Sequence, residues 1–236
     1  MSTLFQRIVH VLSCDSTQAL SMADDVSESA LFWADHQTAG RGRQGRSWRD
    51  APAQDIAVTL RFADLALESP TVLAVAIPVA VVRTLVDEIP DVTIKWPNDV
   101  LLYGRKICGV LIDTEGQPPH TFHVGIGINV NRVAFPAELV DRSTSLALAT
   151  GKEFDRSTLV LRLATEVSNV ANQLVSGEVD SLIEEFEKRL GLTGKAVRAT
   201  TGEGTVEGIL TDIDLYRAVL DGHAEIPLAH LQHLTG

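Results

Sequence analysis

The sequence predicts an α/β protein in two parts, a larger domain over residues 1–190 and a small β-rich one over 191–236. Three observations predict it. Segments rich in branched apolar residues alternate with segments whose apolar residues recur at helical spacing, as far as Leu190. Gly191 to Gly194 then breaks the pattern. From Lys195 the chain is short, β-rich and punctuated by Gly202, Gly204, Gly208 and Gly222. That tail is too short for a substantial core of its own and should pack on the larger domain.

The elements follow in order. Arg7 to Leu12 reads as a first strand. Asp15 or Ser16 can cap a short helix suggested by Ala19, Leu20, Met22 and Ala23. Ala30 to Ala34 is a second strand. Ile56, Val58, Leu60 and Phe62 alternate with smaller or polar residues, as in a strand with one buried face. Ser69 to Glu88 suits a helix, carried by Leu73, Ile77, Ala80, Val81 and Leu85, which Pro78 should kink or divide. Asp91 to Trp96 is a strand, ended by the turn Pro97-Asn98-Asp99. Lys106 to Ile112 and Phe122 to Val130 are two more strands. Gly104-Arg105 joins the first of them to the turn before it, and Thr114 to Pro119 connects the two. Gly125 and Gly127 interrupt the later strand, which suggests a bulge or a close ligand approach. Arg132 to Phe154 carries no clear pattern. Asp155 caps a helix marked by Leu159, Leu163, Val167, Val170 and Leu174, and Glu178 to Leu190 forms another.

The formal net charge of −11 argues against a general nucleic-acid binder, which would carry a basic face. Cys14 and Cys108 lie far apart with no metal-ligand spacing, so reduced thiols in a cytoplasmic protein are expected. Met1 to Leu12 lacks a signal-peptide layout. The longest apolar run, Val72 to Val82, is too short to span a bilayer and reads as a buried helix.

Against this acidic background the stretch from Gln37 to Trp48 stands out. It holds Gly40, Gly42 and Gly45 with Arg41, Arg43 and Arg46, and Arg49 follows. Glycine leaves peptide N–H groups open to a ligand, and arginine supplies planar cationic donors. The stretch reads as a loop that closes over something anionic. It fits the letters G-x-G-x-x-G, but arginines stand between the glycines and no helical pattern follows, unlike a dinucleotide site. A solvated, arginine-rich surface loop is the plainer alternative.

Four further islands accompany the loop: Ser16-Thr17-Gln18, the run Lys95 to Val100, the run Gly104 to Asp113, and Gly125 to Asn131. In this order they closely resemble the biotin protein ligases, over nearly the whole chain. The residues that carry the resemblance are Gly40-Arg41-Gly42-Arg43 with Gly45-Arg46 and Trp48, Lys95 to Asp99, and Arg105-Lys106 with Gly109. No helix-turn-helix precedes the first strand, as in family members without a DNA-binding repressor domain. Gln18 is a departure, standing where the family usually has asparagine.

The resemblance implies a mixed sheet with helices, akin to class II aminoacyl-tRNA synthetases, plus an SH3-like barrel. It implies activation of biotin by ATP to biotinyl-5′-AMP, then transfer to a lysine of a biotin carboxyl carrier domain. Mg²⁺ should accompany ATP, with no protein ligand for it that can be named. Arg41 and Arg43, with the backbone N–H groups of Gly40 to Arg43, are expected at the carboxylate and phosphate. Lys106 is expected beside the acyl-phosphate link, as a catalytic residue together with Arg43. Ser16, Thr17 and Gln37 are assigned to the ureido end of biotin, Trp48 to adenine or the closed loop, and Asn98 and Asp99 to the nucleotide side. Gly109, Gly125 and Gly127 would let the backbone approach the ligand, and Gln18, Gly42, Arg46 and Asn129 complete the substrate-binding set. No nucleic acid and no membrane are expected as partners. Monomer and weak homodimer both remain open. The rival readings are a lipoate–protein ligase and a non-catalytic binding module that uses the arginine loop.

Overall fold

A computed structural model describes residues 3–25, 28–63, 65–67, 69–116, 120–223 and 225–236. Seven strands form one mixed sheet. They are β1 (Arg7–Val11), β2 (Ala30–Ala34), β3 (Ile56–Phe62), β4 (Val92–Lys95), β5 (Asp99–Leu102), β6 (Arg105–Glu115) and β7 (Thr121–Ile128). Their order is β1-β2-β3-β7-β6-β5-β4. β1 and β2 pair in parallel, and every other neighbour is antiparallel.

The helices are α1 (Thr17–Met22), α2 (Val72–Leu85), α3 (Leu146–Thr150), α4 (Arg156–Ser176) and α5 (Asp180–Leu190). Each start has a local cause where a cap exists. The Ser16 side chain accepts from the Gln18 and Ala19 N–H groups, Ser145 from Leu148, and Asp155 from Ser157 and Thr158. Gly151, Gly177 and Gly191 end α3, α4 and α5 in the left-handed region.

β3 shows why the sheet is apolar on one side and chemical on the other. Ile56, Val58, Leu60 and Phe62 join the core that α2 and α4 cover. Thr59 and Arg61 point the opposite way, to Thr17 and Gln18 of α1 and to the Ser21 carbonyl. The alternation predicts one buried face, but all seven residues are buried, because α1 and a polar pocket cover the second. α2 likewise differs from expectation. It runs through Pro78 as one helix, with both halves buried in the same core. An internal proline costs about 3 kcal/mol or more, and shared burial of the flanking turns offsets it.

Sequence pattern missed β5, which merges there into the turn before it. β5 and β6 are joined by Tyr103 and Gly104, both with positive φ, a two-residue hairpin loop. β6 then extends through Thr114 and Glu115, and of the connection expected over Thr114 to Pro119, residues 117–119 lie outside the described residues. β7 carries no bulge at Gly125 or Gly127, and its ladders to β3 and β6 are regular. The register shift falls instead between β5 and β6, at Val100 and Leu101. Arg132 to Phe154 is largely loop, interrupted by α3 and pinned where Asn131 bonds both backbone groups of Phe154.

The tail forms a five-stranded antiparallel sheet. It comprises β8 (Ala196–Thr201), β9 (Gly204–Ile213), β10 (Arg217–Leu220), β11 (Ile226–Pro227) and β12 (His233–Thr235), ordered β11-β10-β9-β8-β12. Its apolar residues join the main core, and the Trp96 indole N–H donates to the Leu231 carbonyl at 2.9 Å.

Candidate active site

The loop after β1 and the loop after β2 lie side by side. Cys14 bridges Gln37, Thr38 N–H donates to the Cys14 carbonyl, and Ala39 N–H to the Asp15 carbonyl. This brings the start of α1 against the start of the arginine loop. Gln37 Oε1 then accepts from Thr17 N at 2.8 Å and from Thr17 Oγ1 at 3.2 Å. Thr59 Oγ1 lies 2.9 Å from Thr17 Oγ1 and 3.0 Å from Gln18 Oε1. The result is a buried floor of polar side chains, each held by another.

The arginine loop is a tight hairpin. Gly42 N–H donates to Arg46 O at 2.8 Å, Trp48 N–H to Gly40 O at 2.9 Å, and Arg41 bridges Ser47. At its tip Arg43–Gly45 makes a 3-10 turn in which Gln44 and Gly45 both have positive φ. Gly42 N–H is therefore engaged within the loop, which removes one of the backbone donors expected for a ligand. The loop returns to the sheet through Trp48. Its indole covers Gly127, where a Cβ would overlap the ring, and Gly109, where a Cβ would lie 3.2 Å from Cζ3. The close approach that the strand glycines permit is thus by a protein side chain. Trp48 Nε1 is buried with no hydrogen-bond partner among the described residues.

Opposite the loop stands β6. Lys106 forms an ion pair with Asp99, and its Nζ lies 5.8 Å from the centre of the Trp48 ring. Lys106 also anchors the 142–144 segment, donating its N–H to Arg142 O and accepting from Thr144 N–H. The Asn129 amide donates to Thr144 O at 3.0 Å and holds this junction together. Arg43 Nη1 lies 3.4 Å from Asn98 Oδ1, while Asn98 Nδ2 donates to Val110 O. Burial holds the Arg43 pKa below the usual guanidinium value, Asp99 opposes that shift and Arg46 adds to it. Arg43 keeps its charge regardless.

These groups surround one cavity of about 680 Å³. Every residue expected in the site lines it except Gly40. Gly40 lies behind the wall, where a Cβ would meet the Trp48 carbonyl at 2.5 Å. Eight Lys and Arg side chains line the cavity against three Asp and Glu, a local excess of cations in a chain of net charge −11. Cys108 lies beneath Lys106 and is fully buried, which pushes its thiol far up and makes it inert.

Sequence pattern missed several lining residues. Thr59 is hidden inside an apolar strand, and Arg132, Phe135, Arg142 and Ser143 fall in the stretch without a clear pattern. Arg132 is the best placed of these. Its guanidinium is buried against Asp55, donates to the Arg49 carbonyl at 2.7 Å and lies 4.9 Å from the Phe135 ring. Asp55 also accepts from Ala51 and Val130 N–H groups, yet burial still raises its pKa above the usual carboxylate value. This node ties the exit of the arginine loop to the end of β7. His233, from the second sheet, closes part of the wall.

The fold and this cavity define a two-part α/β architecture in which a mixed sheet and an arginine-rich loop enclose one cationic cavity. The model of the biotin/lipoate A/B protein ligase family matches residues 14–131, and the chain belongs to that family. The biotin protein ligase from Aquifex aeolicus, solved in complex with biotin and ATP, superposes with a TM-score of 0.85. It is 28% identical over 98% of this chain and 99% of that one. The biotin–[acetyl-CoA-carboxylase] ligase of Paracoccus denitrificans is 31% identical over 85% of this chain and 88% of its own length. The bifunctional ligase/repressor BirA of Bacillus subtilis is 34% identical over 86% of this chain, which spans only 65% of that relative.

Proposed function

We propose that this chain is an ATP-dependent biotin–protein ligase. It activates the biotin carboxylate as biotinyl-5′-AMP, releases pyrophosphate, and transfers biotin to a lysine of a biotin carboxyl carrier domain. The observation that carries the reading is the meeting of Arg43, Lys106 and Trp48 over a closed polar floor in one cationic cavity. The complexes named for the Aquifex ligase and the name of the Paracoccus relative support biotin and ATP as the ligands.

Two anions, a carboxylate and a triphosphate, must meet in this site, and without neutralisation they repel. Arg41 and Arg43 take the charge of the carboxylate and α-phosphate from the loop side. Lys106 takes it from the sheet side. Displacement at phosphorus then needs little beyond alignment and charge stabilisation. Asp99, paired with Lys106, stands where it can orient the incoming lysine amine in the second step. Trp48 and the loop exclude water from the mixed anhydride. Ser16, Thr17 and Gln37 meet the ureido head of biotin. Mg²⁺ bound to the ATP would offset part of the triphosphate charge. Among the described residues no group of three or more His, Cys, Asp or Glu could hold a metal ion, and no step is assigned to a protein-held one. No helix of the described residues is long and apolar enough to cross a membrane. Cys14 and Cys108 are free thiols, which supports a cytoplasmic enzyme. The separate five-stranded sheet supports residues 191–236 as its second domain.

The test is biotin-dependent ATP–pyrophosphate exchange, with lipoate as control and Lys106→Ala beside the parent. Exchange with biotin, lost in the variant, supports the reading. Exchange with lipoate alone moves the chain to the other branch of its family. No exchange with either, from folded protein supplied with Mg²⁺, leaves a binding module.

A further inference from the structure

Gln18 lies on α1 at the closed end of the cavity, with 3% of its surface exposed. A carboxamide offers two N–H bonds and one acceptor oxygen. Here Nε2 donates to the His123 carbonyl at 2.8 Å and to Asp113 Oδ2 at 3.0 Å. Oε1 faces Thr59 Oγ1 at 3.0 Å. Both donors are thus engaged by the protein from β6 and β7. Gln18 also sits directly on Gly125, where a Cβ would come within 2.7 Å of Oε1. His123 is itself held, by Ser21 on one ring nitrogen and Glu115 on the other. Gln37 contrasts with this, since among the described residues only its carboxamide oxygen is engaged, by Thr17.

We propose that Gln18 is a positioning residue that sets the depth of the biotin end of the cavity and does not itself ligate biotin. Its side chain forms a braced wall, seated on Gly125 and tied across the sheet to Asp113 and His123. Ser16 and Gln37 are left to meet the polar head of the ligand. Asparagine, one methylene shorter, cannot hold the same three partners from the same backbone position, so it would leave a gap over Gly125. The proposal rests on the biotin reading above.

A double-mutant cycle tests it. Gln18→Asn, Gly125→Ala and the double variant are compared for biotin affinity by calorimetry and for melting temperature without ligand. Gly125→Ala should weaken biotin binding by about tenfold or more and lower the melting temperature, because the methyl group collides with a side chain that cannot retreat. In the double variant the methyl group enters the space that the shorter side chain vacates. Its affinity should lie within about threefold of Gln18→Asn alone, and its melting temperature should recover. Gln18→Asn alone should raise KM for biotin while kcat and the KM for ATP stay within about twofold of the parent. Multiplying losses in the double variant, in both affinity and melting temperature, would overturn the proposal. No biotin binding by the parent chain would overturn the function on which it rests. The ligand-free melting cycle, which reads the contact between the two positions alone, separates that failure from failure of the wall.

Discussion

Lys106 is paired with Asp99 and lies 5.8 Å from the centre of the Trp48 ring, so the cation, its counterion and an aromatic face meet at one point. Lys106→Ala should lower biotin-dependent pyrophosphate exchange by at least about a hundredfold, the usual scale for a lost charge-stabilising donor. Asp99→Asn removes the counterion but leaves the ammonium in place. It should spare exchange and slow transfer to the carrier lysine. The two half-reactions, assayed separately, check this.

Arg43 reaches Asn98 across the cavity mouth from the tip of the loop. Arg43→Gly should shorten adenylate retention by about tenfold or more, one lost charge-assisted contact, and slow its synthesis less. Release of labelled biotinyl-AMP from the isolated complex measures it. A variant that holds the adenylate as long as the parent would remove Arg43 from this role. Because the proposed ligands lie against Arg43 and would order the loop, trypsin should cut at Arg43 more slowly once biotin and ATP are bound.

The Trp48 indole occupies the space that Gly127 leaves empty. Gly127→Ala should drive the ring out of its seat and cost about 1–3 kcal/mol of stability. Tryptophan emission and the urea midpoint report it together. An unchanged spectrum with unchanged stability would mean the ring lies elsewhere.

Burial lowers the His123 pKa below its ordinary value, more than the Glu115 contact raises it. The folded chain then binds fewer protons at this group than the unfolded chain in the interval below pH 6.5. Stability from His123 is complete above that pH and is lost as the pH falls through the lowered value. His123→Gln should therefore flatten the decline in urea midpoint between about pH 7 and pH 5.

Much of the fold was legible because periodicity reports burial. The helical spacing of Leu159, Leu163 and Val167 found α4, and the Asp155 cap fixed its start. The site was legible where chemistry concentrated unusual residues, as in Gly40 to Trp48 and around Lys106. Arg132 was not, because its meaning lies in a partner, Asp55, that is 77 positions away and equally ordinary in the sequence. β5 was hidden for another reason. Four residues between a proline turn and a glycine turn read as connection until their partners on β4 and β6 are known.

The Trp96 hydrogen bond bears on how the protein is made. The indole belongs to the turn that carries Asn98 and Asp99, and its acceptor, Leu231, is 135 residues further along the chain. At the ribosome the sheet can form long before that acceptor emerges. His233, which finishes the cavity wall, emerges later still. A nascent chain therefore carries the arginine loop and Lys106 before the wall opposite them is finished, and that wall arrives only once residues 231 to 233 have emerged.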